Sequence, residues 1–311
     1  MSTALTGGLL AAVLCAALTP LAGRLATRLG IVAGANPDVP THTRPVPLLG
    51  GVAIVAGVAP VLAMAAAADP RWRALVLALV PLVLLGLYKD WAERPLSPIL
   101  QLVVQGVAAG VLVWGGLRLD VLPHPAADAA ASVFLCLWIV NSWNFIDVMD
   151  GLAASVAVVC AVTFALAAAH LGDRTAAAVS LAVAGGALGF LLHNRPPARI
   201  FMGDVGSFSL GLSFAALVLA MSSDVGSGAG ALFLVAVPLA DVAFSSLVRI
   251  RAGRSPLAGG AEHLCLRLLA RGWKGPVIVA AASLAAAAGG TAGLFLLRQA
   301  YAPPAATTTT E

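Results

Sequence analysis

Charge is what this 311-residue chain has least of: Asp, Glu, Lys and Arg together make up 10% of it. A soluble domain carries roughly 25%, so a surface that meets water on all sides is excluded. Cysteine is scarce as well. Cys15, Cys136 and Cys160 lie inside apolar runs and Cys265 in a basic loop, which argues against a disulfide framework. No basic stretch precedes the first apolar run, so the segment from Leu5 reads as a retained helix rather than a cleaved signal. No internal repeat stands out. The net charge of +4 says little about partners, but its distribution says more.

Apolar sequence fills the chain instead, at 60% of all residues and a mean hydropathy of +0.97. Runs of about 17 to 25 apolar residues are long enough to cross a bilayer. They predict ten spans, near 5–23, 48–68, 73–88, 98–117, 129–147, 151–169, 174–193, 205–222, 227–248 and 276–297. The third is short and interrupted by Pro81. The expected fold is therefore an all-α polytopic membrane protein of about ten transmembrane helices. One transmembrane domain covers 1–298, and a disordered tail with four consecutive Thr covers 299–311.

Ten spans place both termini on one side. Thirteen of the 18 Lys and Arg residues, from Arg24 to Lys274, then fall in the loops after odd-numbered spans. Five (Arg71, Arg73, Arg118, Arg174 and Arg298) fall in the even loops and at the termini. The positive-inside rule puts the odd loops in the cytoplasm and both termini outside, in a multi-pass protein of the plasma (inner) membrane. The same odd loops hold the polar clusters, so the site is expected in cytoplasmic loops.

One stretch organises the rest, Asn141-Ser-Trp-Asn-Phe-Ile-Asp-Val-Met-Asp-Gly151, at the junction of two apolar runs. Asp at a helix centre costs about 2.5 to 3.5 kcal/mol on insertion scales, so such residues sit near an interface or polar cavity. Asn141, Asn144, Asp147 and Asp150 are spaced by three, which on a helix could turn all four into one cavity. A polar cap between two helices would use the same residue types. Asp90, Asp147, Asp150 and Asp204 are hard oxygen donors suited to Mg²⁺, which takes one or two carboxylates plus substrate phosphates. The turn Gly203-Asp-Val-Gly-Ser207 can offer backbone N–H groups to an anion. Together these point to phosphoryl chemistry at the inner leaflet.

Several motifs occur in chain order over about residues 30–275. They are His42-Thr-Arg-Pro-Val-Pro-Leu-Leu-Gly-Gly51; Asn-x-x-Asn-x-x-Asp-x-x-Asp-Gly-Leu-Ala at 141–153; Asn194 with Phe201-Met-Gly-Asp-Val-Gly-Ser207; and Gly253-Arg-Ser-Pro256 before His263 and Arg267. In these the chain resembles the polyprenyl-phosphate N-acetylhexosamine-1-phosphate transferases, glycosyltransferase family 4. The Pro-Val-Pro form is more similar to the GlcNAc-1-phosphate branch than to the phospho-MurNAc-pentapeptide branch. The resemblance implies a UDP-sugar donor, an undecaprenyl or similar polyprenyl phosphate acceptor, UMP release, and Mg²⁺ with Mn²⁺ as an alternative. It implies a role in cell-envelope polysaccharide synthesis, no nucleic-acid partner, and room for a homodimer. It implies Asp204 and Asp147 as metal ligands, with Asp90, Asp147, Asp150 and His263 as catalytic residues; Lys89, beside Asp90, is a further catalytic candidate on its own charge. His42, Asn141, Asn144, Asn194, Arg254 and Arg267 would bind substrate.

The chain departs from the family pattern at Lys89, where an Asp-Asp pair usually begins, and at Cys265, inside the usual His-x-His-His. Asp to Lys changes local charge by two units and would repel Mg²⁺ unless Lys89 meets a phosphate or pairs with Asp90. Three readings stay open from the residues. They are a transferase, a homologue that binds lipid phosphate or nucleotide sugar without turnover, and an anion transporter, whose site would lie nearer the bilayer midplane.

Overall fold

A computed structural model gives the fold of residues 2–34, 45–92, 96–255 and 262–301. His42 and the tail from 302 lie outside the described residues. Helix dominates, as it must where no water is present to satisfy an exposed backbone. In chain order come α1 (Ser2–Leu29), α2 (Gly50–Ala68), α3 (Arg71–Trp91), α4 (Pro98–Trp114), α5 (Pro125–Ile146) and α6 (Leu152–Leu171). Then follow α7 (Arg174–Asn194), α8 (Gly203–Ala220), α9 (Val225–Phe233), α10 (Ala236–Arg251), the short α11 (Leu264–Ala270) and α12 (Gly275–Ala300). Strand among the described residues is confined to β1 (Val32–Ala33) paired antiparallel with β2 (Val46–Pro47).

Eight of these helices are long and apolar enough to cross a membrane, and α9 with α10 makes a ninth if the bent pair is one span. The shorter apolar helix α4 accounts for the remaining expected segment. Three details differ from the sequence expectation. Helix α3 continues through Pro81 and is longer than expected, running from Arg71 to Trp91, as membrane helices tolerate an internal proline. The ninth segment breaks by 83° between α9 and α10. Pro238, the third residue of α10, has no N–H, and in an unbroken helix its ring would clash with the carbonyl of Leu234. Finally, α12 continues to Ala300, so the boundary expected at 298 falls inside a helix.

Helix α8 is the hub. Every residue from 205 to 219 is buried, the mark of a helix surrounded by others rather than facing lipid. It packs on α2, α3 and α5. Against α5, Gly211 makes room for Val140, and Trp143 stacks on Phe214 with centroids 4.4 Å apart. Against α2 and α3 the backbones themselves touch. A Cβ on Gly51 would collide with Gly206, and one on Gly86 would lie 2.6 Å from the Val205 Cα. Such small-residue contacts are how helices approach closely in lipid. The N–H groups of Gly50 and Gly51 donate to the carbonyls of Phe201 (3.0 Å) and Met202 (2.8 Å), pinning the start of α8 to the start of α2.

Hydrogen bonds between them show that the ends of α3, α5 and α7 and the start of α8 meet at one end of the bundle. At the other end the Tyr301 hydroxyl, just past α12, donates to the carbonyl of Met221 at 3.3 Å, just past α8.

Candidate active site

The first cluster forms where α3 ends on the start of α8. Gly203 adopts φ +67°, in the left-handed region, and a Cβ there would lie 2.5 Å from the Asp90 carboxylate. Glycine is what lets Asp90 approach. Asp90 Oδ1 accepts the N–H of Asp204 at 2.8 Å, and Oδ2 accepts that of Val205 at 3.4 Å. Asp90 thus caps α8, with its charge at the positive end of the helix dipole. This fixes Asp204, in the first turn of α8. Asp204 Oδ1 accepts from Asn144 Nδ2 at 2.6 Å, and Oδ2 pairs with the Lys89 ammonium at 3.0 Å. Asn144 Nδ2 also donates to Ser207 Oγ at 2.9 Å. The ammonium lies 4.9 Å from the centroid of the Phe208 ring, one turn beyond Asp204 on α8. Lys89 therefore pairs with Asp204, where the sequence suggested a phosphate or Asp90.

The organising stretch divides at Ile146, where α5 stops. Asp147 and Asp150 lie in the turn before α6, closed by Gly151 at φ +74°, so the four polar residues do not share one helix face. Asn141 faces α4, where its Nδ2 donates to Gln105 Oε1 at 2.7 Å in a helix–helix clamp. Asp150, 3% exposed, accepts the N–H of Ala198 at 2.9 Å. Asn194, equally buried, accepts from Gly151 N and donates to the Ile200 carbonyl, both at 2.9 Å. These two tie the α5–α6 turn to the segment leading into α8. Asp147 is half-buried, makes no hydrogen bond among the described residues, and has Asp204, Asp90 and Asp150 within electrostatic reach.

A second cluster gathers at the end of α10. His263 is buried, and its Nδ1 lies 3.0 Å from Asp241 Oδ2, while Asp241 Oδ1 accepts the N–H of Leu264 at 3.0 Å. Asp241 thereby caps α11 and orients the imidazole with one carboxylate. The His263 ring meets Phe145 edge-on at 5.4 Å, and the buried Arg249 guanidinium lies 5.0 Å from the same ring centre. Phe145 follows Asn144, so one turn of α5 touches both clusters. Glu262 pairs with Arg254 and, at 3.0 Å, with Arg249. Hydrogen bonds from Arg254, and then from Arg249, hold its carboxyl down at about 2 against the opposing pull of burial. Arg267 stacks over Phe244 at 5.4 Å.

The structure thus brings Lys89, Asp90, Asn144, Asp147 and Asp204 together. It turns Asn141 to a helix clamp, and commits Asp150 and Asn194 to the turn beside the cluster. Sequence reasoning missed Asp241, Gln105, Phe145 and Phe208. The first two carried a signal, since a carboxylate or amide inside an apolar run is costly without a partner. The aromatic residues carried none, being indistinguishable from core.

Among the described residues, no three of His, Cys, Asp and Glu converge as a ready metal cage. Mg²⁺ does not require one, since one or two carboxylates plus substrate phosphates and water suffice. Charge supplies the better criterion. Asp90, Asp147, Asp150 and Asp204 interact electrostatically, and Lys89 brings one positive charge among them. Asp147, an unpaired oxygen donor in that setting, fits a hard cation. Asp204 fits as a second donor only in competition with Lys89.

Comparison with known proteins agrees with this geometry. The profile of glycosyl transferase family 4 matches residues 72–222, which include both halves of the first cluster. The chain is 33% identical over 272 residues to a probable undecaprenyl-phosphate N-acetylglucosaminyl 1-phosphate transferase of Bacillus subtilis, covering 82% of this chain and 74% of that one. It is 34% identical over 308 residues to the decaprenyl-phosphate N-acetylglucosaminephosphotransferase of Mycobacterium tuberculosis, covering 85% and 75%. A phospho-N-acetylmuramoyl-pentapeptide-transferase of Synechococcus matches over a shorter stretch, 33% over 198 residues, covering 57% of this chain and 55% of that one. With two relatives matched over most of both chains, and the motif carboxylates and amides assembled at one end of a helical bundle, the chain belongs to glycosyl transferase family 4, and is an enzyme of the phosphoglycosyl transferase class.

Proposed function

We propose that the protein moves an N-acetylhexosamine-1-phosphate from a UDP-sugar to a polyprenyl phosphate at the cytoplasmic leaflet, releasing UMP, for cell-envelope polysaccharide synthesis. The observation that carries this is the cluster of Lys89, Asp90, Asn144, Asp147 and Asp204 at the site-bearing end of the bundle. The named relatives act on decaprenyl or undecaprenyl phosphate. In the reaction, a lipid-phosphate oxygen attacks the phosphorus that carries the sugar. A new P–O–P bond forms as the old one breaks, and UMP leaves with the electron pair. Charge balances without a net proton when the lipid phosphate is a dianion.

Little covalent work falls to the protein in such a transfer, and positioning with charge neutralisation supplies most of the catalysis. Asp147 and Asp204 would hold Mg²⁺, and the bound ion would supply charge neutralisation for the donor's pyrophosphate. Asp90 positions Asp204 through the cap on α8. Asn144 aligns Asp204 and Ser207. Lys89 supplies a fixed positive charge beside the reacting phosphates. His263, oriented by Asp241, faces the donor's phosphates, with Arg254 and Arg267 nearby in chain.

The test is to incubate detergent-purified protein with Mg²⁺, undecaprenyl phosphate and a panel of UDP-sugars, following UMP and the mass of lipid-linked product. One UDP-N-acetylhexosamine should give both. A second reading, binding without turnover, is favoured by one observation: the Lys89 ammonium engages an oxygen of Asp204 that a metal would use. Saturable UDP-sugar binding with no UMP at any Mg²⁺ concentration would select it.

A further inference from the structure

Three guanidinium groups with no carboxylate to answer them among the described residues gather beside the last turns of α1. Arg24 and Arg28 are one helical turn apart, and Arg199 arrives from the segment between α7 and α8. All three residues are exposed, and none of the three guanidinium groups has a hydrogen-bond or ion-pair partner among the described residues. They line one open cavity of about 550 Å³ with Thr27, His193 and Ile200, and among the described residues no Asp or Glu lines it. His193 is fixed there by its Nε2, which donates to the Ala16 carbonyl at 3.0 Å.

Topology alone asks only that basic residues stand on one side of the membrane, not that they converge. Charges from sites 171 residues or more apart in sequence have been brought to one groove, where like charges repel and the arrangement costs free energy until an anion enters. Guanidinium forks match the geometry of phosphate oxygens. The surroundings indicate which phosphate. Leu21 and Leu25 on α1 are 53% and 51% exposed, and Leu192, beside His193, is 54% exposed. On membrane-crossing helices such side chains meet acyl chains, and basic pockets between such helices suit anionic headgroups. The groove uses none of the residues of the candidate active site. Arg199 and Ile200 nevertheless lie only a few positions before Gly203 and Asp204.

We propose that this groove binds the phosphate of an anionic membrane lipid, with Arg24, Arg28 and Arg199 as its ligating groups. The full-length protein in phospholipid-free detergent is titrated with dioctanoyl phosphatidylglycerol, dioctanoyl phosphatidylcholine or inorganic phosphate, and the melting midpoint is read. Phosphatidylglycerol should raise it by several degrees. Phosphatidylcholine and inorganic phosphate at the same concentration should leave it in place, and the combined Arg24→Ala, Arg28→Ala, Arg199→Ala variant should lose the response. An undiminished response in that variant, an equal response to phosphatidylcholine, or no response to phosphatidylglycerol overturns the proposal. A response to inorganic phosphate that matches the lipid's shows a soluble-anion site and overturns the lipid as ligand. If the triple variant does not fold, Arg199→Ala should weaken phosphatidylglycerol binding about tenfold while Arg199→Lys keeps part of it. Equal binding by all three forms of residue 199 overturns the assignment.

Discussion

Lys89 is the residue on which the chemistry of this site turns. Its pair with Asp204 and its place over Phe208 make it a resident cation where the resembling family has a carboxylate. Charge-assisted hydrogen bonds of this kind are worth roughly 1.5 to 3 kcal/mol. Lys89→Ala should accordingly lower kcat/KM by about tenfold to a hundredfold. Lys89→Asp should fare no better, because it adds a carboxylate to four already present. Both variants are measured across a Mg²⁺ titration, and a gain for Lys89→Asp with a lower Mg²⁺ requirement would show that Lys89 suppresses a metal site rather than serving the reaction. Asp241 acts at one remove, through His263. Asp241→Asn should reduce kcat by at least about tenfold and alter the pH profile, since an amide can no longer fix which ring nitrogen carries the proton. In a His263→Ala background the same change should cost almost nothing, because residues that act as a unit are not additive. Full additivity would separate the two residues.

Elements hold these side chains in place through backbone contacts that tolerate no extra atom. At Gly51 a methyl group would meet Gly206 and, at 2.8 Å, the Met202 carbonyl. Gly51→Ala should therefore push α2 off α8 and cost about 1 to 3 kcal/mol, read as a lower melting midpoint in detergent together with lost turnover, because Asp204 moves with α8. An unchanged midpoint would mean the two helices separate freely. The segment from α10 into α11 is held differently, by Glu262 between Arg249 and Arg254. The Glu262 pKa is depressed from the usual value near 4.5 to about 2. Its stabilisation is complete above the unfolded value and is lost as pH falls through the folded one. Glu262→Gln should melt several degrees lower than the parent at pH 7, and the gap should hold down to about pH 5 and narrow below 4.5. A gap that does not change with pH would assign the effect to packing rather than charge.

For the molecule as a whole, eight helices are long and apolar enough to cross a membrane, nine if the bent α9–α10 pair is one span, and the polar clusters collect at one end. By the spans predicted from sequence, 13 of the 18 basic residues fall on one side, and from the positive-inside rule we propose that the site-bearing end faces the cytoplasm. All four native cysteines are buried, giving a quiet background for thiol labelling. In intact cells, Trp273→Cys, in the loop before α12, should be protected from an impermeant thiol reagent, and Val225→Cys, at the opposite end, should be labelled. These positions are 47% and 74% exposed. The reverse pattern would invert the orientation and place the phosphate chemistry on the wrong side for a UDP-sugar.

Sequence by itself determined the all-helical architecture of this protein, because in lipid the rules are few: an apolar run of sufficient length must be helical. It also determined the carboxylates Asp90, Asp147 and Asp204, since an ionisable residue at a helix mouth in so apolar a chain is costly and therefore conspicuous. Partners were another matter. Spacing by three made Asn141 and Asp150 look equivalent to Asn144 and Asp147, yet α5 ends at Ile146, and Gln105 claims Asn141. Only tertiary structure decided that Lys89 neutralises Asp204, that Asp90 caps α8, and that Asp241 stands behind His263. Those are contacts between residues 22 to 115 positions apart, and no local pattern encodes which of several nearby charges will meet once the helices pack.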